Sequence, residues 1–106
     1  MPKYMYQANY TLEGVKGLAK DGGSKRREAV EAAFKSLGGK LEAFYYTFGD
    51  PDVVVIADMP DNMSAAAASV AINSSGAVTL KTTVLLSLEE MDAATKKTVN
   101  YRRPGQ

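Results

Sequence analysis

The segment from Leu41 to Asp58 constrains the fold most, because two strand-like runs meet there at a compact turn. Residues 41–48 carry aromatic and β-favouring side chains, and residues 53–57 form a continuous aliphatic run. Between them, Gly49-Asp50-Pro51-Asp52 consists of the residue types that turns require. The segment therefore predicts a β-hairpin, and hence a domain built on an antiparallel sheet.

Side-chain periodicity predicts further strands and helices around this hairpin. Residues 3–10 alternate between tyrosine or alanine and other side chains, and residues 77–86 place mostly aliphatic side chains on one face, as strands do. Helices are predicted to start at residues that commonly cap them, namely Thr11, Ser24, Asp61 and Ser87. Their predicted ends are Gly22-Gly23, Gly38-Gly39, Ser75 and Val99.

The order of these elements indicates the fold class. Strand, helix, strand, strand, helix, strand is the split βαβ arrangement of ferredoxin-like α+β domains, here with an antiparallel βαββαβ sheet and an additional C-terminal helix. A chain of 106 residues suits one such domain. We expect the domain to span residues 1–100, with residues 101–106 as a flexible tail.

The amino-acid composition excludes several kinds of catalytic and metal-binding site. The chain has no cysteine and no histidine, so disulfides, thiolate catalysis and the commonest general base and metal ligand are absent. With 13 basic and 12 acidic residues the net charge is +1, which gives no electrostatic case for nucleic acid. We expect no metal, no cofactor and no nucleic-acid partner.

The N-terminal residues lack the apolar core of a signal peptide, and no stretch approaches the roughly 20 apolar residues of a membrane span. These observations predict a cytoplasmic protein without a membrane partner.

Four aspartates near the hairpin invite comparison with a carboxylate pair or a metal site. Asp50 and Asp52 flank the turn, whereas Asp58 and Asp61 follow the far end of the next strand. That separation favours roles in the turn and in a helix cap.

Lys81, Thr82 and Thr83 interrupt the last strand with polar side chains. One interpretation is that Lys81 protects an edge strand from aggregation. The other is that it points into a polar pocket completed by Arg26 or Arg27 and a tyrosine. The sequence is compatible with both interpretations.

Strands one and two are rich in phenol rings, which suit a core, a subunit interface or a ligand pocket. Strict alternation places Phe44, Tyr46 and Phe48 on one side of strand two and Leu41, Ala43 and Tyr45 on the other. Because both sides are then apolar, we expect a second chain to cover one of them. The residues predicted to bind a ligand are Tyr6, Arg27, Tyr46, Lys81 and Thr83.

Several parts of the chain resemble the GYD-domain family, small bacterial proteins named for a Gly-Tyr-Asp signature between strands two and three. The residues that carry the resemblance are Tyr4–Tyr10, Thr11, Gly14, Lys16, Gly49, Asp52, Asp58, Pro60-Asp61 and Lys81-Thr82-Thr83. Pro51 stands where the family has its tyrosine. The resemblance implies a domain similar to dimeric α/β-barrel proteins, whose sheets pack face to face, and implies no established activity or cofactor.

Two functions follow as hypotheses. The first is a homo-oligomeric binding or assembly module, with a small molecule held between sheet and helices. The second is an enzyme that oxidises or isomerises a small aromatic or quinol-like substrate without a cofactor, with Lys81 and Tyr46 as the catalytic candidates.

Overall fold

The computed structural model describes residues 1–47 and 49–106, which form strands and helices in the predicted order. The strands are β1 (Lys3–Tyr10), β2 (Lys40–Tyr46), β3 (Val53–Asp58) and β4 (Val78–Leu85). The helices are α1 (Leu12–Asp21), α2 (Gly23–Ser36), α3 (Asn62–Ser74) and α4 (Leu88–Thr95).

The strands form one antiparallel sheet in the order β2-β3-β1-β4. The predicted hairpin is present, since β2 pairs with β3 and Tyr46 lies opposite Val53. β1 occupies an interior position between β3 and β4, and its pairing with both is antiparallel. The ferredoxin-like α+β class is therefore confirmed, with α4 as the additional C-terminal helix.

The core lies between one face of the sheet and helices α2 and α3. Tyr4 and Tyr6 are almost fully buried on this face, and the Tyr6 ring packs against Phe34 of α2 with 5.1 Å between ring centroids. Alternate residues of β3 complete the layer: Val53, Val55 and Ala57. Burying a large apolar side chain contributes roughly 1.5–3 kcal/mol, so this single layer accounts for most of the hydrophobic stabilisation.

Three of the four predicted helix caps are present. The Thr11 hydroxyl accepts from the Gly14 amide, and the Asp61 carboxylate accepts from the Ser64 amide at 2.7 Å. Ser87 and Glu90 form the reciprocal capping box. The prediction at Ser24 was wrong, because α2 begins one residue earlier at Gly23, after a Gly22 whose φ of 83° only glycine adopts readily.

The predicted faces of strand two need correction. The pairing register shifts between Leu41 and Ala43, where a bulge adds one residue to β2. The bulge turns Leu41 to the same side as Phe44 and Tyr46, beneath α2, so that side is covered by the chain's own helix. Phe48, the third member of the predicted aromatic face, lies outside the described residues. Only the side of Ala43 and Tyr45 remains for a partner.

Helix α1 contacts the sheet through a glycine. Its apolar residues Leu12 and Val15 are exposed, while Gly14 is the buried position. The helix approaches the start of β4 so closely that a Cβ on Gly14 would lie 1.9 Å from the Ala77 carbonyl oxygen. The glycine that weakens the helix locally is thus the point where it packs.

Helix α4 ends at Thr95 rather than at Val99, and all of its residues are exposed. Within the described ranges, none of the helices is both long and apolar enough to cross a bilayer.

Candidate functional site

Among residues 1–47 and 49–106, none of the fully buried ones lies on the face of the sheet opposite α2 and α3, termed here the open face. Strand pairing sorts its side chains into two halves. The apolar half lies on β2, β3 and the adjoining part of β1, and consists of Ala43, Tyr45, Val54, Ile56 and Met5. The polar half lies on β1 and β4, and consists of Gln7, Asn9, Thr79, Lys81 and Thr83.

A charged cluster closes one end of the open face. The Lys3 ammonium lies 3.0 Å from the Asp58 carboxylate and 3.1 Å from the Glu42 carboxylate. The hydrogen bond to Asp58, followed by that to Glu42, raises the pKa of Lys3. These three charges satisfy one another and form a polar rim beside the apolar half.

The loop between β2 and β3 closes the opposite end. The Asn9 side chain donates to the Asp50 carboxylate at 2.8 Å and accepts from the Asp52 amide at 3.1 Å. The Asp52 carboxylate in turn accepts from the Tyr10 amide at 2.9 Å. The predicted turn roles of Asp50 and Asp52 are confirmed, and Asn9 is the residue that holds the turn against the sheet.

Between this loop and the polar half lies a cleft of about 410 Å³, termed here the open-face cleft. Its lining residues are Gln7, Asn9, Asp50, Pro51, Asn73, Thr79, Leu80 and Lys81. Lys81 is exposed, and no acidic group among the described residues pairs with it. The cleft therefore contains an available ammonium group as well as the Asp50 carboxylate.

Lys81 also lies on an edge strand, since β4 has a neighbour on one side only. The outer edge of β4 is partly satisfied by α3, where the Asn73 side chain accepts from the Leu80 amide at 2.7 Å and donates to the Leu80 carbonyl at 3.2 Å. The structure is thus compatible with both interpretations of Lys81, edge protection and a pocket.

The space between the sheet and the helices is much smaller, about 70 Å³. Tyr6 fills part of it, and its hydroxyl donates to the Ala65 carbonyl at 3.1 Å. Burial raises the pKa of Tyr6 to about 12. A cavity of this size holds water molecules, whereas organic ligands occupy pockets of roughly 300–1,000 Å³.

A polar cluster lies at the margin of that small cavity. The Tyr10 hydroxyl lies beside the Tyr46 hydroxyl and the Arg26 guanidinium, and Tyr46 donates to the Gly23 carbonyl at 3.0 Å. Burial, with a smaller contribution from Tyr46, raises the pKa of Tyr10 to about 12, although Arg26 opposes the shift. Tyr10 therefore stays protonated at neutral pH, when it can donate a hydrogen bond but is not a base.

The predicted ligand-binding residues do not meet at one place. Tyr6 and Tyr46 lie on the helix-covered face of the sheet, whereas Lys81 and Thr83 lie on the open face. Arg27 is exposed on α2 and pairs with Glu31 at 3.7 Å. The arginine that reaches a tyrosine is its neighbour Arg26. Lys81 and Tyr46, the catalytic candidates, are separated by the sheet and cannot act on one substrate together.

Several cleft residues were missed because single-strand patterns do not reveal them. The alternation along β1 places Gln7 and Asn9 on one face without showing what lies beside them, and Asp50 is predicted only as a turn residue. The usable signal was the pairing register: Gln7 lies opposite Lys81 and Asn9 opposite Thr79, so four polar side chains share one patch.

Comparison with known proteins gives one result. A family model described as a GYD domain matches residues 4–95 of the 106-residue chain. No curated protein and no solved structure matches this chain.

Proposed function

This chain belongs to the GYD domain family, and we propose that it is a homo-oligomeric binding module in which the open faces of two sheets pack together. The observation that carries the proposal is the apolar half of the open face. Val54, Ile56 and Met5 are only partly buried, and Tyr45 is exposed. A second sheet would remove these side chains from water, as face-to-face packing about 10 Å apart does in β-sandwiches.

The arrangement of the face suits two identical chains. A two-fold axis through the apolar half brings it against its own copy, as an isologous interface requires. The polar halves and their clefts then lie on either side of the axis. Within each chain both carboxylates of the Lys3, Glu42 and Asp58 cluster contact the Lys3 ammonium, which leaves the cluster with a net charge of −1 at the rim of the contact.

The volumes of the two cavities indicate which face of the sheet could hold an organic ligand. The 70 Å³ space beneath α2 and α3 would have to expand several-fold to accept an organic molecule, whereas the open-face cleft measures about 410 Å³. We therefore assign the binding role to the open face. The enzymatic alternative gains no support from the site, because its catalytic candidates, Lys81 and Tyr46, lie on opposite faces of the sheet.

Association is tested with two matched substitutions. Val54→Glu places a carboxylate in the apolar half, whereas Val70→Glu places the same group on an exposed position of α3. Light scattering at micromolar concentration should show wild type and Val70→Glu as oligomers and Val54→Glu as a monomer. The melting temperature of the two oligomeric proteins should also rise with protein concentration.

The proposal fails if wild type is monomeric at these concentrations. It also fails if Val70→Glu, and not Val54→Glu, dissociates the oligomer, because the contact would then involve the helices. A specific interface should bury more than about 1,000 Å² in total.

A further inference from the structure

The open-face cleft brings together groups of opposite charge from two separate elements. Lys81 is contributed by β4, and Asp50 by the loop between β2 and β3. They are not within ion-pair distance of each other, since neither is among the salt bridges of the described residues. The cleft therefore presents a cationic group and an anionic group that can each meet a ligand.

The remaining residues that line the cleft differ in whether their side-chain polar groups already have hydrogen-bond partners within the protein. The Asn9 amide is occupied at both ends, by Asp50 and by the Asp52 backbone, so it shapes the cleft. Gln7 is half-buried and lines the cleft, and the side-chain hydrogen bonds of its neighbours Asn9 and Asp50 go to partners other than its amide. Gln7 can thus donate to or accept from a molecule in the cleft. Pro51 adds apolar contact surface, whereas the Leu80 side chain packs on the helix-covered face of the sheet.

From this combination we propose that the open-face cleft binds a small zwitterion of the amino-acid class. The Lys81 ammonium would pair with the ligand's carboxylate, and the Asp50 carboxylate with its amino group. Gln7 would hydrogen-bond between them, and an apolar side chain would lie against Pro51. Charge-assisted contacts of this kind are stronger than neutral ones, which gives selectivity for ligands that carry both charges.

This inference names the ligand class of the binding role proposed above. The cleft is built from one chain, so ligand binding and association are measured independently. Failure of either one can therefore be recognised without reference to the other.

The test uses leucine, isocaproate, which lacks the amino group, and isoamylamine, which lacks the carboxylate. Binding is followed by NMR through the side-chain amide of Gln7 in the 106-residue chain. Leucine should shift this signal and bind about tenfold more tightly than either analogue, because each analogue loses one charge-assisted contact. The absence of any shift with all three compounds at millimolar concentration would overturn the proposal.

Substitutions test which charged group of the ligand Lys81 and Asp50 each contact. Lys81→Met should reduce affinity for leucine and isocaproate about tenfold while leaving isoamylamine unchanged, and Asp50→Asn should produce the reverse pattern between the analogues. Lys35→Met, on the exposed side of α2, and Asp92→Asn, on α4, serve as matched controls. All four positions are exposed, and thermal unfolding verifies that each variant is folded. Equal leucine binding by Lys81→Met and Lys35→Met would contradict the assignment.

Discussion

Gly14 and Gly17 lie about one turn apart on α1 but have different surroundings. Gly14 is in contact with the start of β4, where an added Cβ would meet the Ala77 carbonyl at 1.9 Å and the Tyr10 ring at 2.9 Å. Gly17 has no heavy atom within 4 Å of the equivalent position. The same residue type therefore serves packing at one position and only weakens the helix at the other.

This difference predicts opposite effects of one substitution. Gly14→Ala should lower the free energy of unfolding by about 1–3 kcal/mol, because backbone must move to accommodate the methyl group. Gly17→Ala should raise it by up to about 1 kcal/mol, the helix-propensity difference between the two residues. Urea denaturation of both variants measures the two changes. A stabilised Gly14→Ala protein would show that α1 does not pack as described.

The ionisation of the two buried phenols, Tyr6 and Tyr10, provides a second test at the scale of single residues. The pKa values of Tyr6 and Tyr10 rise from 10.0 to about 12 in the folded chain, in both cases mainly through burial. The folded protein then holds these protons more tightly than the unfolded chain. Their contribution to stability is fully present below pH 10 and is lost as the pH rises towards 12.

Ultraviolet titration of phenolate formation tests this expectation. In native protein Tyr6 and Tyr10 should ionise near pH 12, and in concentrated urea near pH 10. Tyr10→Phe should remove part of the late native phase and reduce the loss of stability over the same interval. Superimposable native titrations of Tyr10→Phe and wild type would contradict the assignment of a buried Tyr10.

Among the elements, α1 and α4 both begin at a hydroxyl cap but differ in tertiary support. The Thr11 hydroxyl accepts from the Gly14 amide and donates to the Gly76 carbonyl at 2.8 Å, thereby joining α1 to the turn before β4. The Ser87 capping box lies at the start of a helix of 8 exposed residues. Isolated helices shorter than about 12–15 residues are marginal in water, so α4 depends on its cap.

Removal of each cap should therefore have a different result. Thr11→Ala should lower the unfolding free energy of the domain by about 1 kcal/mol. Ser87→Ala should increase amide hydrogen exchange within α4 and leave the unfolding free energy of the domain unchanged. Urea denaturation and hydrogen exchange of both variants provide the measurements. A loss of global stability in Ser87→Ala would indicate that α4 packs against the domain.

Element order was predictable from sequence because turn residues, caps and alternation are local signals. The hairpin, the capping box and the face shared by Val78, Leu80, Thr82 and Val84 were all evident in this way. The bulge in β2 was not, since it depends on how β2 and β3 pair and leaves no mark in either strand alone. One inserted residue was enough to move Leu41 to the side of β2 that α2 covers.

At the scale of the whole molecule, the domain covers one face of its sheet with its own helices and leaves the other open. The open face is divided, apolar towards β2 and β3 and polar towards β1 and β4. This division gives one surface suited to a second copy of the chain and another suited to a small polar ligand. Both roles are proposed for the side of the sheet that lacks helices.

The sequence alone determined the fold class and the alternation of side chains along β1 and β4, because periodicity and turn chemistry act over a few neighbouring residues. Tertiary structure decided which polar residues meet. Strand pairing joins Gln7 to Lys81, residues far apart in the chain, and the loop contact with Asn9 brings Asp50 to them. The tertiary structure also separates Tyr6 and Tyr46 from Lys81 and Thr83, because alternate side chains of a strand point to opposite faces of the sheet.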